Sequence, residues 1–445
     1  MNEINCKRTH IGKIPKGWEV VRLGDKEICE ELYYGVTAKA TEKNTGIKML
    51  RTTDIKNYCV DWGNLPFCEI TEKRNNIDKY FLERGDIIIA RAGTVGVSVL
   101  VEKSLRDTVF GSYLIKLKLK PRLYPKFVHY FFQSIIYWRH LKKAQGSTLK
   151  NINLPLLKSL LIPLPPLHEQ KTIAKILSTV DEAIQKVDEA IAKTERLKKG
   201  LMQKLLTRGI GHKEFKYSKE LGCEIPKEWK VVRLKQLVNK ESDIVAGPFG
   251  SNLKVIDYRP KGVPIIRLQN IERNRFINKD IKYISSEKAE KLKYHSFSSG
   301  DIVMAKLGDP IGKTCIVPDF LKEGIVVADV VRIRISSQKA IKQYVVYVLN
   351  SKKCYYQLRK ETIGSTRPRV NISQVRNLLV PLPPLPEQQK IAEILSTVDK
   401  KLELERRRKE KLEKIKKGLM NDLLTGRKRV NVEKVLRGKE RNEAS

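Results

Sequence analysis

Two long segments of the chain repeat apolar residues at alternating steps of four and three positions. The first carries them at Ile173, Leu177, Val180, Ile184, Val187 and Ile191, and the second at Ile391, Leu395, Val398, Leu402, Leu412, Ile415, Leu419 and Leu423. This spacing is typical of a coiled-coil seam. It predicts two helices of roughly 40 residues, each on the order of 60 Å long at the α-helical rise. A solitary striped helix must bury its stripe, so we expect the two helices to pair, antiparallel, with each other.

The stretches that precede these helices have a different pattern. In residues 13–160 and 224–378, short apolar and β-branched runs alternate with Gly, Pro and Asn turns, which predicts strands. Near the end of each stretch, residues 126–141 and 342–358 have helical spacing and predict one amphipathic helix apiece. The expected fold class is therefore α+β, with aromatic residues such as Phe127 and Tyr130 in the core rather than in a base-stacking platform.

The two halves of the chain repeat each other. Residues 14–23 return at 225–234, and residues 164–181 return at 382–399. A repeat this long predicts a duplicated domain, because solenoid periods run roughly 20 to 50 residues. We expect two similar globular domains related by an internal pseudo-two-fold, a symmetry that duplex DNA also has locally.

The pattern divides the chain into five segments. Proline breaks the interior of a helix, so the Pro-rich runs at 163–166 and 381–384 are expected to lead rigidly into the long helices. The predicted segments are a first globular domain, a Pro-rich lead-in with the central helix, a second globular domain, a Pro-rich lead-in with the C-terminal helix, and a disordered basic tail. Their bounds are 1–160, 161–208, 209–378, 379–425 and 426–445.

The net charge of the chain indicates what kind of partner it binds. The chain has 88 Lys plus Arg against 50 Asp plus Glu, a formal charge of +38 spread over both halves. Such an excess is expected of a protein that binds a phosphate backbone, although it does not separate DNA from RNA.

The cysteines and the apolar runs bear on the compartment. The seven cysteines form no C-x-x-C pair, which predicts neither a zinc ribbon nor a disulfide framework. No apolar run approaches the ~20 residues of a membrane span, and residues 1–7 do not resemble a signal peptide. We therefore expect a soluble cytoplasmic protein.

Several motifs together resemble the specificity subunit of type I restriction-modification enzymes. They are G-x-I-P-x-x-W-x-x-x-x-L at 12–23, less completely at 223–234; Gly-Asp followed by Ile-Ile or Ile-Val; and Pro-Leu-Pro-Pro-Leu-x-E-Q before Ile-Ala-x-Ile-Leu-Ser-Thr-Val-Asp. Lys-Lys-Gly-Leu-Met near each helix end completes the set. The resemblance covers residues 12–425. It implies two target-recognition domains that each read one half of a bipartite, asymmetric DNA site. It also implies helices that set the unspecified spacer and dock two methyltransferase subunits, to which endonuclease subunits can add.

The sequence carries no recognisable catalytic motif. The adenine methyltransferase motif, Asn or Asp before Pro-Pro-Tyr/Phe, is replaced by Leu-Pro-Pro-Leu, which lacks the polar and aromatic groups that hold a flipped base. Residues 308–314 have one residue too few between their glycines for a nucleotide-binding phosphate loop, and their proline removes one of the backbone N–H groups that would bind phosphate. Asp86 and Asp301 fit a turn or cap better than a nuclease site. The six histidines do not occupy matching positions in the two halves and form no H-x-x-x-H motif, which indicates no metal site. We expect a non-catalytic chain without its own cofactor; AdoMet belongs on the methyltransferase partner, and ATP and Mg²⁺ on a nuclease-translocase partner.

Candidate DNA contacts follow from side-chain chemistry. Arginine reads guanine, and Asn or Gln reads adenine, so Arg51, Arg91, Arg267, Gln269 and Asn270 are candidates for base edges. The loops at 146–150 and 364–369, with Lys39 and Lys254, suit phosphate contacts; the alternative for each loop is packing against the following helix. The predicted DNA-binding set is Lys39, Arg51, Arg91, Ser147, Thr148, Lys150, Lys254, Arg267, Gln269, Asn270, Ser365, Thr366 and Arg367.

Three other functions remain open from the residues alone. They are the specificity subunit of another restriction-modification type, a stand-alone tandem nucleic-acid-binding protein, and a self-sufficient nuclease. Genomic neighbours, binding without a methyltransferase, or Mg²⁺-dependent cleavage would separate them.

Overall fold

A computed structural model of the chain describes residues 6–70, 77–145, 151–360, 362 and 368–430. Contacts divide the chain into two compact units, Met1–Asp188 with Arg407–Ser445, and Glu189–Arg406. This division differs from the predicted segments, because each unit takes one half of each long helix. In the part of the chain that is described, no helix is long and apolar enough to cross a bilayer.

The first unit is built from two four-stranded sheets and short helices. The sheet orders are β11-β10-β13-β4 and β12-β6-β9-β5. The elements are β1 Cys6–Thr9, β2 Gly12–Pro15, β3 Glu19–Arg22, β4 Cys29–Tyr34, β5 Lys39–Thr41, β6 Lys48–Leu50, β7 Ile55–Lys56, β8 Cys59–Val60, β9 Phe67–Glu69, β10 Ile87–Ala90, β11 Ser98–Leu100, β12 Thr108–Phe110, β13 Leu114–Leu119, α1 Pro125–Phe131, α2 Ile135–Gln145, α3 Leu154–Ser159, β14 Leu161–Leu164 and the first half of α4 Leu167–Arg208.

The second unit repeats this plan. Its sheet orders are β18-β27-β24-β25 and β22-β19-β26-β23. The elements are β15 Phe215–Ser218, β16 Cys223–Pro226, β17 Lys230–Arg233, β18 Ile244–Ala246, β19 Val263–Ile266, β20 Ile271–Glu272, β21 Arg275–Phe276, β22 Lys282–Ile284, α5 Ser286–Lys291, β23 Ser296–Ser298, β24 Ile302–Ala305, β25 Thr314–Ile316, β26 Glu323–Val326, β27 Val330–Ile333, α6 Lys342–Leu349, α7 Lys352–Lys360, α8 Ile372–Arg376, β28 Leu379–Leu382 and the first half of α9 Leu385–Leu423. The predicted α+β class is confirmed.

The predicted amphipathic helix before each long helix is two helices instead. The chain turns between α1 and α2, where the Ser134 hydroxyl accepts a hydrogen bond from the backbone N–H of Tyr137 at 3.3 Å. Between α6 and α7, Ser351 accepts in the same way from Cys354 at 3.2 Å. A serine whose hydroxyl caps the first turn of the next helix favours a fresh start over continuation. The predicted single helices at 126–141 and 342–358 were therefore wrong in their continuity, although the core role of Phe127 and Tyr130 is confirmed by their burial.

The Pro-rich lead-ins are strands. In β14, Pro163 lies opposite Val20 of β3, and in β28, Pro381 lies opposite Val231 of β17. Each pair forms a two-stranded sheet, where proline is tolerated because every strand is an edge. These sheets tie the start of each long helix to the Trp-containing motif.

Within each unit the halves of α4 and α9 run antiparallel. In the first unit, Lys416 pairs with Asp181 at 2.8 Å and Lys409 with Asp188 at 2.6 Å. In the second, Lys198 pairs with Asp399 at 2.5 Å and Arg406 with Glu195 at 2.7 Å. The predicted stripe is buried at Ile173, Leu177, Val187, Ile391, Leu395 and Leu402. Ile415 departs from the stripe because it is 52% exposed.

Candidate nucleic-acid interface

The two repeats differ strongly at residues 33–39 and 245–251, and each of these segments contains a glycine. Gly35 follows β4, and a Cβ there would lie 2.3 Å from the carbonyl oxygens of Phe110 and Gly111. Gly247 follows β18, and its Cβ would lie 2.2 Å from backbone atoms of Val327. A side chain at either position would collide with backbone, so only glycine fits. Equivalent strands, β4 and β18, thus lead at matching points of the fold into two unlike segments, 36–41 and 248–258.

Arg91 and Lys39 belong to the first unit. The Arg91 guanidinium lies 4.3 Å from the centre of the Tyr34 ring, and its Nε donates to the Asn151 side chain at 3.2 Å. Stacking and hydrogen bonding hold the plane of the guanidinium at the end of β10. Lys39 is exposed on β5, an edge strand. Both side chains can therefore meet an anionic partner without rearranging the strands.

Arg51 is oriented by a carboxylate three residues away. Its Nε donates to Asp54 Oδ2 at 3.0 Å and its Nη2 to Oδ1 at 2.8 Å. The hydrogen bond with Asp54 raises the pKa of Arg51 above its usual value. The pair uses two of the five guanidinium N–H groups and fixes the direction of the rest. The side chain is 42% exposed.

Arg267 is the counterpart of Arg51 and is paired differently. Its Nη2 lies 2.9 Å from Asp280 Oδ2, and its side chain is only 16% exposed. With the amide of Gln269 oriented so that its oxygen faces Arg267, that oxygen accepts from Nη1 at 3.1 Å and Nη2 at 2.8 Å. Arg267 is thus largely engaged inside its own domain, whereas Gln269 lies on the surface.

Asn270 is unsuited to the predicted role. It is fully buried; its Oδ1 accepts from the backbone N–H of Arg267 at 3.0 Å, and its Nδ2 donates to the carbonyls of Ile277 and Lys279 at 3.1 Å each. No donor or acceptor of this amide faces solvent, so we leave Asn270 out of the contact set.

The remaining predicted contacts are Lys254 and the residues of the segments 146–150 and 364–369. Lys254 is exposed, in a turn closed by its backbone N–H donating to Asp257 at 2.8 Å. Ser147, Thr148, Lys150, Ser365, Thr366 and Arg367 lie outside the described residues.

The acidic residues considered for catalysis serve the fold. Asp86 accepts from the backbone N–H of Glu83 at 2.8 Å and lies 3.2 Å from buried Lys116; its burial raises its pKa. Asp301 accepts from the backbone N–H of Ser298 at 2.8 Å and pairs with Arg334. Across the described ranges, no three His, Cys, Asp or Glu side chains come together as a metal site.

Residues 308–314 form a turn whose lysine is already paired. The Lys313 ammonium lies 2.8 Å from Glu272 Oε2. The backbone N–H of Gly312 donates to Ala305, which closes the turn onto β24. A lysine held by a carboxylate in this way is not poised over a phosphate.

The repeated motifs turn out to join each globule to the long helices. Buried Glu169, in the first turn of α4, accepts from Trp18 Nε1 at 3.1 Å and from Arg429 at 3.0 Å. In the second unit, Glu387 accepts from Trp229 Nε1 at 3.0 Å and lies 2.9 Å from His212 Nε2. The motif Glu therefore holds the motif Trp. Arg429 lies in the segment predicted to be a disordered tail, but residues 426–430 pack on the first unit; the rest of that segment lies outside the described residues.

The neighbouring motif glutamines and aspartates have the same role. Gln170 accepts from the backbone N–H of Tyr124 at 2.8 Å, and Gln388 from that of Ile341 at 2.9 Å. Asp181 accepts from the Tyr130 hydroxyl at 2.8 Å. In the sequence these residues appear only as parts of the family motifs; their exact repetition in both halves is the signal that they share one structural role.

Comparisons with known proteins agree with this architecture. The family model described as "Type I restriction modification DNA specificity domain" matches residues 15–194 and 226–414. The MjaVIII type I restriction enzyme specificity subunit of Methanocaldococcus jannaschii is 32% identical, over 96% of this chain and 97% of its own length. The putative MjaX specificity subunit of the same organism is 33% identical over the same shares.

Solved structures show the same fold. The S subunit of a type I restriction-modification system from M. genitalium matches with a TM-score of 0.55 at 16% identity, over 91% of this chain and 96% of that one. A chain from a structural study of complex assembly and conformational transition in a type I system matches with a TM-score of 0.54 at 17% identity, over 93% and 99%.

Proposed function

Because this chain belongs to the family of type I restriction-modification DNA specificity subunits, we propose that each of its two domains reads one half of a bipartite, asymmetric DNA sequence. It is a DNA-recognition subunit rather than a catalytic one. It binds DNA and assembles with other subunits of the restriction-modification system.

The observation that carries the half-site proposal is the contrast between scaffold and loops. Gly35 and Gly247 occupy equivalent crowded turns, and the backbone N–H of each donates to the start of the equivalent strand, Leu114 or Val330. The residues that follow share almost nothing. A conserved frame with unlike loops is what two readers of different sequences need, because base contacts specify while the frame only positions.

We divide the contact residues by chemistry. Arg51, Arg91 and Gln269 are proposed for base edges, since guanidinium and amide groups match the donor and acceptor pattern of the major groove. Of these, Arg91 is the strongest, because Tyr34 and Asn151 orient it from beneath. Arg267, whose guanidinium is bonded to Asp280 and Gln269, is proposed to orient Gln269 toward the base.

Lys39 and Lys254 are proposed for phosphates, together with Ser147, Thr148, Lys150, Ser365, Thr366 and Arg367. Exposed lysines and residues with hydroxyl or cationic side chains suit contacts that fix register without reading sequence.

The long helices are proposed to set the spacer and to dock two methyltransferase subunits. Exposed apolar side chains on them support docking: Leu197 and Leu404 in the second unit and Ile415 in the first are more than half exposed. AdoMet would be bound by that methyltransferase, and ATP and Mg²⁺ by a nuclease-translocase subunit that joins it.

Selection of bound sequences tests the proposal. The chain, assembled with its methyltransferase, is incubated with random duplex DNA, and the retained molecules are sequenced. We expect two short fixed elements separated by a constant unspecified spacer. A single continuous element, or none, would contradict half-site reading.

Arg91→Ala sharpens the same experiment, because its effect belongs to one domain. Loss of one bidentate base contact costs about 1–3 kcal/mol and relaxes a single position. We expect that position to fall in only one of the two elements. Lys279→Ala, an exposed lysine of the second unit outside the proposed contact set, serves as the charge-matched control.

A further inference from the structure

The loop between β18 and β19 holds the three most exposed large apolar side chains of the described chain. Phe249 is 85% exposed, Val255 78% and Ile256 89%. Exposed apolar residues that cluster on one surface usually mark an interaction site, because water disfavours them. The loop belongs to one of the segments in which the two domains differ.

The loop is anchored although its apolar side chains face solvent. Leu253 is buried against Ile265, Ile284, Leu292 and Ile325. The backbone N–H of Asn252 donates to the carbonyl of Phe249 at 2.8 Å, and that of Tyr258 to Val255 at 3.1 Å. One turn on each side of Leu253 therefore presents Phe249 and the pair Val255 and Ile256. An anchored turn loses little conformational entropy on binding.

The same loop carries positively charged residues. Lys254 lies next to Val255, and Arg259 and Lys261 follow in the same loop; all three side chains are exposed. A partner that fits this surface carries negative charges for the cations and has accessible apolar groups for Phe249, Val255 and Ile256. Stacked bases beneath a phosphate backbone have that arrangement, and the domain's family favours DNA over an anionic bilayer.

The first domain has no such surface at the equivalent place. After Gly35, Val36 is buried, and Tyr33 and Tyr34 before it are only partly exposed. Tyr33 packs instead against Tyr80 and Phe110. The exposed apolar loop is therefore present after Gly247 and not after Gly35.

We propose that Phe249 inserts between two stacked base pairs of the half-site bound by the second domain and unstacks them, while Val255 and Ile256 of the same loop contact the duplex. Insertion of an apolar wedge kinks the duplex, and flexible pyrimidine–purine steps accept it most easily. The second domain then reads part of its half-site through the deformability of one step, and the first domain does not. This inference rests on the proposed DNA function of the chain.

The test uses the full chain assembled with its methyltransferase and the duplex selected as described above. 2-Aminopurine, whose fluorescence rises on unstacking, replaces one adenine at a time in and beside the second half-site. We expect a rise at one step with the unchanged protein. Phe249→Ala should abolish this rise and weaken binding about tenfold, a loss equal to about 1.4 kcal/mol. The dependence of binding on salt should stay unchanged, because no phosphate contact is lost.

Phe320→Ala is the matched control. Phe320 is also an exposed phenylalanine of the second unit, at 58%, but it lies outside the β18–β19 loop and its ring packs against that of Phe276 in β21. This variant should retain both the fluorescence rise and the affinity. Equal melting curves for both variants exclude a folding effect.

Two results would overturn the wedge. One is unchanged affinity and fluorescence in Phe249→Ala. The other is weakened binding without any rise in the unchanged protein, which would mean a groove contact without insertion. If the unchanged complex selects no bipartite sequence at all, the proposed function falls and the wedge falls with it; if it does select one, only the wedge is at stake.

Discussion

At the scale of single residues, His129 lies in a hydrogen-bond chain that a neutral imidazole completes. Lys416 Nζ lies 3.2 Å from Gln133 Oε1, and Gln133 Nε2 lies 3.0 Å from His129 Nε2. Since the amide nitrogen donates, His129 Nε2 accepts, and Nδ1–H points to Ser98 Oγ at 3.4 Å. Burial, followed by the charges of Lys416 and Lys126, lowers the pKa of His129 to about 3.

This depressed pKa predicts a pH-dependent stability of the first unit. The unfolded chain binds a proton at His129 below about pH 6.5, whereas the folded unit does not until about pH 3. The stabilisation is therefore present above about pH 6.5 and is lost as the pH falls, by about 2 kcal/mol on reaching about pH 5. Hydrogen exchange of first-unit peptides, compared at these two pH values, measures the loss.

His129→Val isolates the contribution of the imidazole. Valine is the residue at the equivalent buried position, Val346, of the second unit. The variant starts from a lower stability because it breaks the hydrogen-bond chain, but we expect its stability to depend less on pH. Equal pH slopes in both proteins would contradict the assigned pKa.

At the scale of elements, Asp399 fastens α9 to its own globule and to α4. Its carboxylate accepts from the Tyr347 hydroxyl at 2.8 Å and pairs with Lys198 at 2.5 Å. Burial, with the charge of Asp399, raises the pKa of Tyr347, so the phenol stays protonated as a donor. We expect Asp399→Ala to destabilise the second unit by about 2–3 kcal/mol, because two part-buried partners are left unpaired.

Glu195→Ala is the control for this prediction. Glu195 pairs with Arg406 on the same helices, but both side chains are close to half exposed. Exposed pairs contribute at most about 1 kcal/mol. Urea unfolding of both variants measures the difference. Equal destabilisation would show that α9 is held by apolar packing rather than by this carboxylate.

The elements differ in how far the sequence could predict them. The seam of α4 and α9 was predictable because Ile173, Leu177 and Ile391 repeat with a period that only a helix satisfies. The turn at Ser134 could not be predicted, because the helical spacing of the apolar residues continues across it although the helix is interrupted there. The strand at Pro163 was missed since a proline reads as a breaker until its edge partner is known.

The candidate DNA-contact residues also differ in how far the sequence could predict their surroundings. Chemistry alone picks out Arg51 and Arg267 as similar, and the structure keeps them similar in backbone. Their acceptors differ, however: Asp54 is three residues from Arg51, a local pattern, whereas Asp280 lies 13 residues beyond Arg267. The burial of Asn270 depends on carbonyls of a later loop, which no sequence pattern reveals.

At the scale of the whole molecule, the repeated joints predict that the domains can be exchanged. The residues that hold the first globule to α4, Trp18 and Tyr130, contact motif residues Glu169 and Asp181. A relative with the same motifs brings the same partners. We expect exchange of residues 1–150 for the matching part of such a relative to change one half of the recognised sequence only. Sequencing of selected DNA measures this, and a change in both halves would refute modular reading.

The division of the long helices predicts how to alter the spacer alone. The boundary between the units falls between Asp188 and Glu189 in α4 and between Arg406 and Arg407 in α9. A heptad inserted at both points preserves the apolar period and every ion pair within each unit, including Asp181 with Lys416 and Asp399 with Lys198. Seven residues add about 10 Å of helix, or about three base pairs at the rise of duplex DNA. We therefore expect the same two half-sites, separated by a spacer about three base pairs longer.

A heptad inserted at only one of the two points is the control. It shifts one helix against the other, so the ion pairs of at least one unit lose their register, and we expect loss of sequence selection rather than a longer spacer. Selection from random DNA distinguishes the two proteins directly. If the double insertion leaves the spacer length unchanged, the helices do not set the separation of the half-sites, and the spacing must come from the globular units or from the methyltransferase.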